Sequence, residues 1–383
     1  MKFGLAYGSF CIGNINNALQ FDKLWDSPRG LTGSELSYIR IAQELSNLGH
    51  DVTLFTIINP EFNRVLNYDS IEIKNINEIN VNEHWDAFCS WNETTPLVNV
   101  CPSSLRMVNL QINSIDHCPP GFDDLVDIWL SPSSAHRERM LLDSHLFYKD
   151  GFPSFFKFQN VDKWEVLTNG CDVSSFDASS TVSGRVIWAS SPDRGLHWLL
   201  KCWPMIKEKA PHAHLRIFYK LNEWLNNMES MGYYHPIMGE QVKRAIYIKE
   251  CLKRLKNSDV EVIGSVSRSR ITREMSEAEV LAYSCDTVNW TEGFSVTTME
   301  ACASGTVPVV SCVDALGTIY GGLESSVKAP VSKNLNDFTE KVVRALTDDN
   351  FRFKVVKQAM ELSMQYQWSD IAKEFVSIVE RRK

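Results

Sequence analysis

The chain has 383 residues, 44% of them hydrophobic and 22% charged, enough for two or three domains with a sizeable buried core. Its 39 basic and 47 acidic residues leave a net charge of -8, which argues against a broad basic face for nucleic acid but leaves room for a local basic groove. No stretch reaches the length of a membrane span, and the opening MKFGLAYGSFCIG is too short in its apolar run and too glycine-rich for a secretory leader, so a cytoplasmic protein, at most peripheral to a membrane, is expected.

In chain order, KFGLAYG predicts a first buried strand ending at glycine. A polar loop containing SPRGLTGSE follows. SELSYIRIAQELSNLG then places Leu36, Ile39, Ala42, Leu45 and Leu48 on one helical stripe, with Gly49 as a left-handed stop. HDVTLFTII is the next strand, which completes the β-loop-α-β unit of a parallel doubly wound sheet. The polar, serine-rich EVLTNGCDVSSFDASSTVSGR marks a seam. Beyond it RVIWASS predicts a strand, GLHWLLKCWPMIKEKAP a helix and AHLRIFY a strand. DVEVIGSV predicts a strand, ITREMSEAEVLAYS a helix and DTVNWT a strand. SVTTMEACASG is then a helix and TVPVVSC a strand, with Pro308 at its start, where a missing N–H is tolerated. The basic KRAIYIKECLKRLK either touches a phosphate backbone or is a solvated amphipathic helix, and its apolar spacing favours the helix.

The ten cysteines show no C-x-x-C pair and no zinc-site spacing, so they read as reduced core thiols. His212 and His214 either ligate a metal or flank a strand; no third ligand lies nearby, which favours the strand.

Ligands of parallel α/β sheets sit at the carboxyl ends of the strands, and that rule selects three loops. In RGLTGSE, Gly30 and Gly33 let backbone approach a ligand before a helix N-terminus that favours anions; the plain alternative is a turn in which Glu35 complements the helix dipole. In ASSPDRGL, Arg194 precedes Gly195 at a helix start, where a cation is disfavoured by roughly 0.3–1 kcal/mol unless an anion binds. The third loop lies in TEGFSVTTMEACASGTVPVV. There Glu292 is expected to end a strand, Ser295, Val296 and Thr297 to begin a helix, and Glu300 to lie on that helix. Fully helical, the two glutamates would stand about 12 Å apart along the axis, wider than the ~5–9.5 Å of a glycosidase pair. Two carboxylates at the ends and helix N–H groups between them suit a nucleotide sugar, with a hydroxylated group at each end and a diphosphate in the middle. The alternative is one capping and one solvent-facing glutamate.

EGFSVTTME matches the E-x7-E signature of retaining glycosyltransferases with the GT-B fold, and the chain resembles glycosyltransferase family 4. TGSE with LGHDVTLFT, VLTNGCD, SSPDRGL, VEVIGSV and the closing QWSDIAKEFVSIVERRK extend the likeness over most of the chain. The resemblance implies an α/β protein of two Rossmann-like doubly wound parallel-sheet domains facing a central cleft. Residues 1–170 would form an acceptor-side domain, 171–365 a nucleotide-sugar domain, and 366–383 a helix crossing back to the first domain. It also implies roles. Glu292 would contact donor-sugar hydroxyls and Glu300 the ribose. Arg194 and the backbone of Ser295, Val296 and Thr297 would bind the diphosphate, Gly293 and Phe294 would also line the donor site, and Gly33 would lie against the phosphates from the first domain. The base would rest near Ser265 and Val266. The second basic residue usual in the family is missing from WASS; Lys220 is the substitute, and His117 is the candidate for a catalytic histidine.

The co-substrate implied is a nucleoside-diphosphate sugar, UDP- or GDP-linked, with no other cofactor. The sequence has no D-x-D pair, so a metal-independent site is expected, and the resemblance implies retention by front-face attack. The acceptor would meet residues 8–30 and 85–120, where Trp25, Trp85 and Trp91 either stack on a ligand or pack. A glycan, a small molecule and modified nucleic acid all remain open. Rival readings are a non-catalytic nucleotide-sugar or glycan-binding protein on the same fold, and an epimerase or phosphorylase with similar sheets.

Overall fold

The apolar runs that open each half lack polar alternation, the pattern of strands buried on both faces of a parallel sheet. The computed structural model describes residues 1–8, 19–58, 67–115, 118–149, 152–177, 181–234, 238–286 and 292–382. Its contacts divide the chain into two units: Met1–Leu24, Leu31–Gly170 and Trp368–Lys383 form the first, and Trp25–Gly30 with Cys171–Gln367 the second.

The first unit begins with β1 (Lys2–Tyr7), α1 (Gly33–Asn47) and β2 (Asp51–Thr56). There follow β3 (Asn67–Tyr68), β4 (Ile71–Asn75), β5 (Ala87–Trp91), β6 (Leu105–Asn109) and β7 (Ile128–Ser131). After α2 (Ser134–Leu142) come a separate hairpin of β8 (His145–Lys149) and β9 (Phe152–Phe156), then β10 (Trp164–Val166). The main sheet runs β10-β7-β6-β5-β1-β2-β4-β3, parallel except where β3 joins the edge antiparallel. The strand order reverses at β1, which pairs with β2 on one side and β5 on the other.

Helix α1 starts where its sequence says it should. The Thr32 side chain accepts from the Glu35 amide, and the Glu35 carboxylate accepts from the Thr32 amide, a reciprocal cap that satisfies two donors of the helix end. Leu36, Ile39, Ala42 and Leu45 are buried, and the Tyr38 hydroxyl reaches the carbonyls of Leu5 and Phe55 on β1 and β2 at 3.3 and 3.2 Å. Leu48, expected on the same stripe, is the C-cap and lies exposed at the helix end, and Gly49 with φ 83° turns the chain after it. The helix Trp368–Arg382 also belongs to this unit; its Phe375 ring meets Phe3 edge-on at 5.7 Å, and both are fully buried.

The second unit holds β11 (Arg185–Trp188), α3 (Leu196–Lys209), β12 (His214–Ile217), α4 (Leu221–Met231), α5 (Gly239–Arg254) and β13 (Val260–Val262). Next come α6 (Arg268–Ser276), β14 (Val280–Tyr283), α7 (Val296–Ser304), β15 (Val307–Val310), α8 (Asp314–Tyr320), α9 (Leu335–Thr347) and α10 (Asp349–Ser363). Its parallel sheet runs β13-β12-β11-β14-β15. Pro308 sits on the edge strand β15, where a missing N–H leaves no ladder bond unmade within the sheet.

One expected element is wrong. The helix predicted over ITREMSEAEVLAYS stops at Ser276, and its second half is the strand β14. Val280, Leu281, Ala282 and Tyr283 are all buried between β11 and β15, so their continuous apolar run carries no period to tell strand from helix. The strand expected at DTVNWT is absent at Asp286, and the remainder of that stretch, residues 287–291, lies outside the described residues.

Phe375→Ala should lower the unfolding free energy by about 3–5 kcal/mol in a urea titration, because it empties a filled core position beside Phe3. A loss below about 1 kcal/mol would contradict the packing of this helix into the first unit.

Candidate functional site

Two strand ends of the second unit, those of β11 and β14, carry the groups that surround Glu292. After β11 the chain makes a short turn, Pro192–Arg194, before α3. Gly195 follows with φ 120°, and a Cβ there would come within 2.0 Å of the Ser284 carbonyl oxygen just past β14. Only glycine permits that approach. The Asp286 amide donates to the Arg194 carbonyl at 3.0 Å, and the Ser284 hydroxyl to the Gly195 carbonyl at 2.8 Å. The buried guanidinium of Arg244, on α5, donates to the carbonyls of Asp193 and Asp286 from behind. Arg194 is thus set on a rigid turn.

Its Nη1 lies 2.8 Å from Oε2 of Glu292, whose side chain is 4% exposed. The Tyr283 hydroxyl, at the end of β14, donates to the same oxygen and lies 3.2 Å from the Ser190 hydroxyl. Burial, with Cys285 and Glu292 nearby, pushes the Tyr283 hydroxyl well above its usual range, so it stays a donor. For Arg194, burial opposes the charge, but Glu292, Tyr283, Asp193 and Cys285 together outweigh it and hold the guanidinium well above its usual range. The cation at this helix start is therefore compensated by a protein carboxylate. Residues 287–291, the body of the strand Glu292 was expected to end, lie outside the described residues, and Glu292 itself is not in a strand but stands in the lead-in to α7. Its backbone is held by α8, through its amide to Asp314 Oδ2 at 3.2 Å and its carbonyl to the Ala315 amide at 3.1 Å.

Ser295 caps α7 in the left-handed region, φ 68°, an uncommon conformation for a residue with a Cβ. Its Oγ accepts from the Thr298 amide at 3.3 Å, and its carbonyl accepts from the Tyr320 hydroxyl at 2.9 Å and the Met299 amide at 3.2 Å. The amides of Val296 and Thr297 precede the first intrahelical bond, the usual state of a helix N-terminus and the basis of its attraction for anions. Gly293 and Phe294 are buried; the Phe294 ring packs on Tyr366 at 5.7 Å, which leaves only its backbone for a ligand.

Glu300 lies in the second turn of α7 and is 5% exposed. Arg268, the first residue of α6, grips it with both arms: Nη1 to Oε2 at 3.0 Å and Nη2 to Oε1. Sequence reasoning did not single out Arg268, nor Tyr283 or Arg244, because their partners are remote in the chain.

The loop expected to take a base holds a piece of the chain from far upstream. Ser265 Oγ donates to the Arg29 carbonyl at 2.8 Å, and a Cβ on Gly30 would lie 2.7 Å from the Val266 carbonyl oxygen. The Ser269 amide donates to Trp25 O at 3.0 Å. Trp25–Gly30 is thus strapped onto the residues before and within the first turn of α6.

The remaining candidates fall elsewhere. Gly33 opens α1 in the first unit, beside the Thr32–Glu35 cap. Lys220 is half-exposed at the N-cap of α4 and pairs with Glu223 at 3.8 Å, a surface contact. His117 lies outside the described residues. Trp85 and Trp91 are core residues, 0% and 1% exposed. KRAIYIKECLKRLK runs largely along α5, with Ala245, Ile248 and Cys251 buried on one side. His136, at the start of α2, is fully buried: the Ser131 hydroxyl lies 2.6 Å from its Nδ1, and its Nε2 lies 3.1 Å from the Ile112 carbonyl. Burial pulls it down to about 4, so the ring is neutral near pH 7 and serves packing.

Residues 189–362 match the family model described as Glycosyl transferases group 1. The chain is 32% identical over 113 residues to N,N'-diacetylbacillosaminyl-diphospho-undecaprenol alpha-1,3-N-acetylgalactosaminyltransferase of Campylobacter jejuni, which covers 28% of this chain and 29% of that one. It is 27% identical over 242 residues to an uncharacterized glycosyltransferase of Methanocaldococcus jannaschii, 57% of this chain and 54% of that one. The chain therefore spans about a third to a half of these curated relatives. Among solved structures it superposes on sucrose-phosphate synthase from Thermosynechococcus elongatus with a TM-score of 0.67, at 12% identity over 99% of each chain. It also superposes on Anabaena HepE in complex with UDP-glucose, with a TM-score of 0.66 and 14% identity over 99% of each. The chain has the GT-B fold, with two Rossmann-like units built on parallel sheets.

Tyr283→Phe should cost about 1.5–3 kcal/mol of unfolding free energy, since it strips one donor from a buried carboxylate oxygen. A urea titration showing less than about 0.5 kcal/mol would mean that Tyr283 does not support Glu292.

Proposed function

We propose that the protein is a retaining glycosyltransferase that moves a sugar from a UDP- or GDP-linked donor to an acceptor hydroxyl without a metal ion. The observation that carries this reading is the pair of buried carboxylates, Glu292 and Glu300, at opposite ends of a short capped helix start, each backed by an arginine. The match of residues 189–362 to a glycosyltransferase family model supports it, and so does the likeness of fold to a protein solved with UDP-glucose.

The chemistry follows from the atoms left available. Oε2 of Glu292 already accepts from Arg194 and Tyr283, while among the described residues Oε1 is left for a sugar hydroxyl. A carboxylate so encumbered is a poor nucleophile and a good anchor. The diphosphate would lie against the amides of Val296 and Thr297 at the α7 N-terminus, with the remaining donors of Arg194 beside it. These fixed donors stabilise the negative charge that builds on the leaving diphosphate. As the anomeric carbon parts from the phosphate oxygen, the acceptor oxygen bonds to that carbon on the same face, and its proton passes to the departing phosphate. Glu300 would accept from the ribose hydroxyls, and the loop at Ser265 and Val266 would carry the base. The acceptor is a hydroxyl of a glycan, a small molecule or modified nucleic acid.

A thermal-shift screen of nucleoside diphosphates should show a raised melting temperature with UDP or GDP. In titrations with that nucleotide, Glu300→Gln should weaken binding while Glu292→Gln leaves it nearly unchanged and instead lowers turnover of the full donor. Equal weakening by both replacements would contradict the two-ended ligand. Turnover should also persist in excess chelator, and loss restored by magnesium or manganese would overturn the metal-free site.

A further inference from the structure

The turn that carries Arg194 is tied to its neighbour by more than the sheet provides. Strands β11 and β14 pair side by side, and beyond Trp188 and Tyr283 their chains run on as separate loops. The Asp286 amide and the Ser284 hydroxyl join those loops through the carbonyls of Arg194 and Gly195. The indole N–H of Trp198, in the first turn of α3, adds a bond to the Asp286 carboxylate at 2.7 Å. The remaining tie comes from outside both loops. Nη1 of Arg244, on α5, donates to the Asp193 carbonyl at 2.5 Å and also to the Asp286 carbonyl, so one nitrogen bridges the two chains.

A buried guanidinium is an expensive donor for two neutral carbonyls. Arg244 is 8% exposed, and the carboxylate paired with it, Glu240, is half-exposed and 3.5 Å from its Nε. What the charge brings is strength, since hydrogen bonds from an ionised donor are about twice as strong as neutral ones. One of its acceptors is the peptide immediately before Arg194. The side chain of Arg194 is in turn committed to Glu292 at 2.8 Å, and the donor reading assigns its other N–H groups to the diphosphate. No candidate donor-binding residue lies on α5 itself.

We propose that Arg244 is a positioning residue for the diphosphate: by locking the two loops together it fixes Arg194, so that donor affinity depends on a helix that holds none of the donor-binding groups. The inference rests on the donor reading above and deepens it. Without the bridge, the Pro192–Arg194 turn gains freedom, and each binding event must then order it again. Glutamine at this position has a shorter stem and a neutral amide, too little to span both carbonyls. Lysine keeps a long stem, the charge and three donors.

The test is calorimetric titration of the full chain with UDP and with GDP, following whichever binds. Arg244→Gln should weaken that nucleotide about tenfold, and Arg244→Lys should restore affinity to within about threefold of wild type. In an Arg194→Ala background, Arg244→Gln should change affinity by less than about twofold, because Arg244 acts through Arg194. If Arg244→Gln does not fold, Ser284→Ala, which removes another tie between the same loops without emptying a buried charge site, should weaken binding about threefold and lose that effect in the Arg194→Ala background. A folded Arg244→Gln chain with a lowered melting temperature and unchanged affinity would make the residue merely structural and overturn the inference. An undiminished loss in the Arg194→Ala background, or a loss with lysine as large as with glutamine, would overturn it too, and each of these leaves the donor reading in place. A wild-type chain that binds neither UDP nor GDP would overturn the donor reading itself, and this inference with it.

Discussion

Two carboxylates are buried within nine residues of one another, and the local structure of the second unit is arranged around pairing them. An ion withdrawn from water costs several kcal/mol unless it is paired and hydrogen-bonded. Glu292 meets that requirement with Arg194 and Tyr283, and Glu300 with Arg268. Each partner in turn needs a support. Tyr283 must end β14, Arg194 must sit on a turn that tolerates only glycine after it, and Arg268 must open α6. Arg244 spends a buried guanidinium on two backbone carbonyls to hold the turn. Replacing these ion pairs by apolar residues would often be no less stable, so their presence points to binding as the reason they are there.

The same pairing constrains the chemistry. Arginine partners that donate to the glutamates leave them as acceptors of hydroxyl protons and make them weak attacking groups. The free amides at the α7 start then become the natural place for negative charge, flanked by two neutralised carboxylates that no longer repel it. An elongated ligand with hydroxyls at both ends and phosphate in the middle satisfies all three stations.

Much of this was legible in the sequence. The Thr32–Glu35 cap, the stripe of α1 and its glycine stop are local signals, and they gave the first β-α-β correctly. Glu292, Glu300 and Arg194 stood out because carboxylates and a cation at strand-to-helix turns are chemically conspicuous. The misread stretch was ITREMSEAEVLAYS, where Ile271, Met275 and Ala278 carry a helical spacing straight into the apolar run of β14. A strand buried on both faces has no alternation to stop that extrapolation. Arg268 was invisible for another reason: in sequence it is one basic residue in a basic helix start, and its meaning comes from a carboxylate 32 residues away. The strap was equally hidden, since the contact between Arg29 and Ser265 spans 236 residues.

The most direct test is a crystal structure of the protein soaked with UDP or GDP. The account predicts the diphosphate within hydrogen-bond distance of the Val296 and Thr297 amides, a ribose hydroxyl on Glu300, and Oε1 of Glu292 left facing the terminal phosphate. A nucleotide bound elsewhere, with Glu300 touching only Arg268, would contradict it.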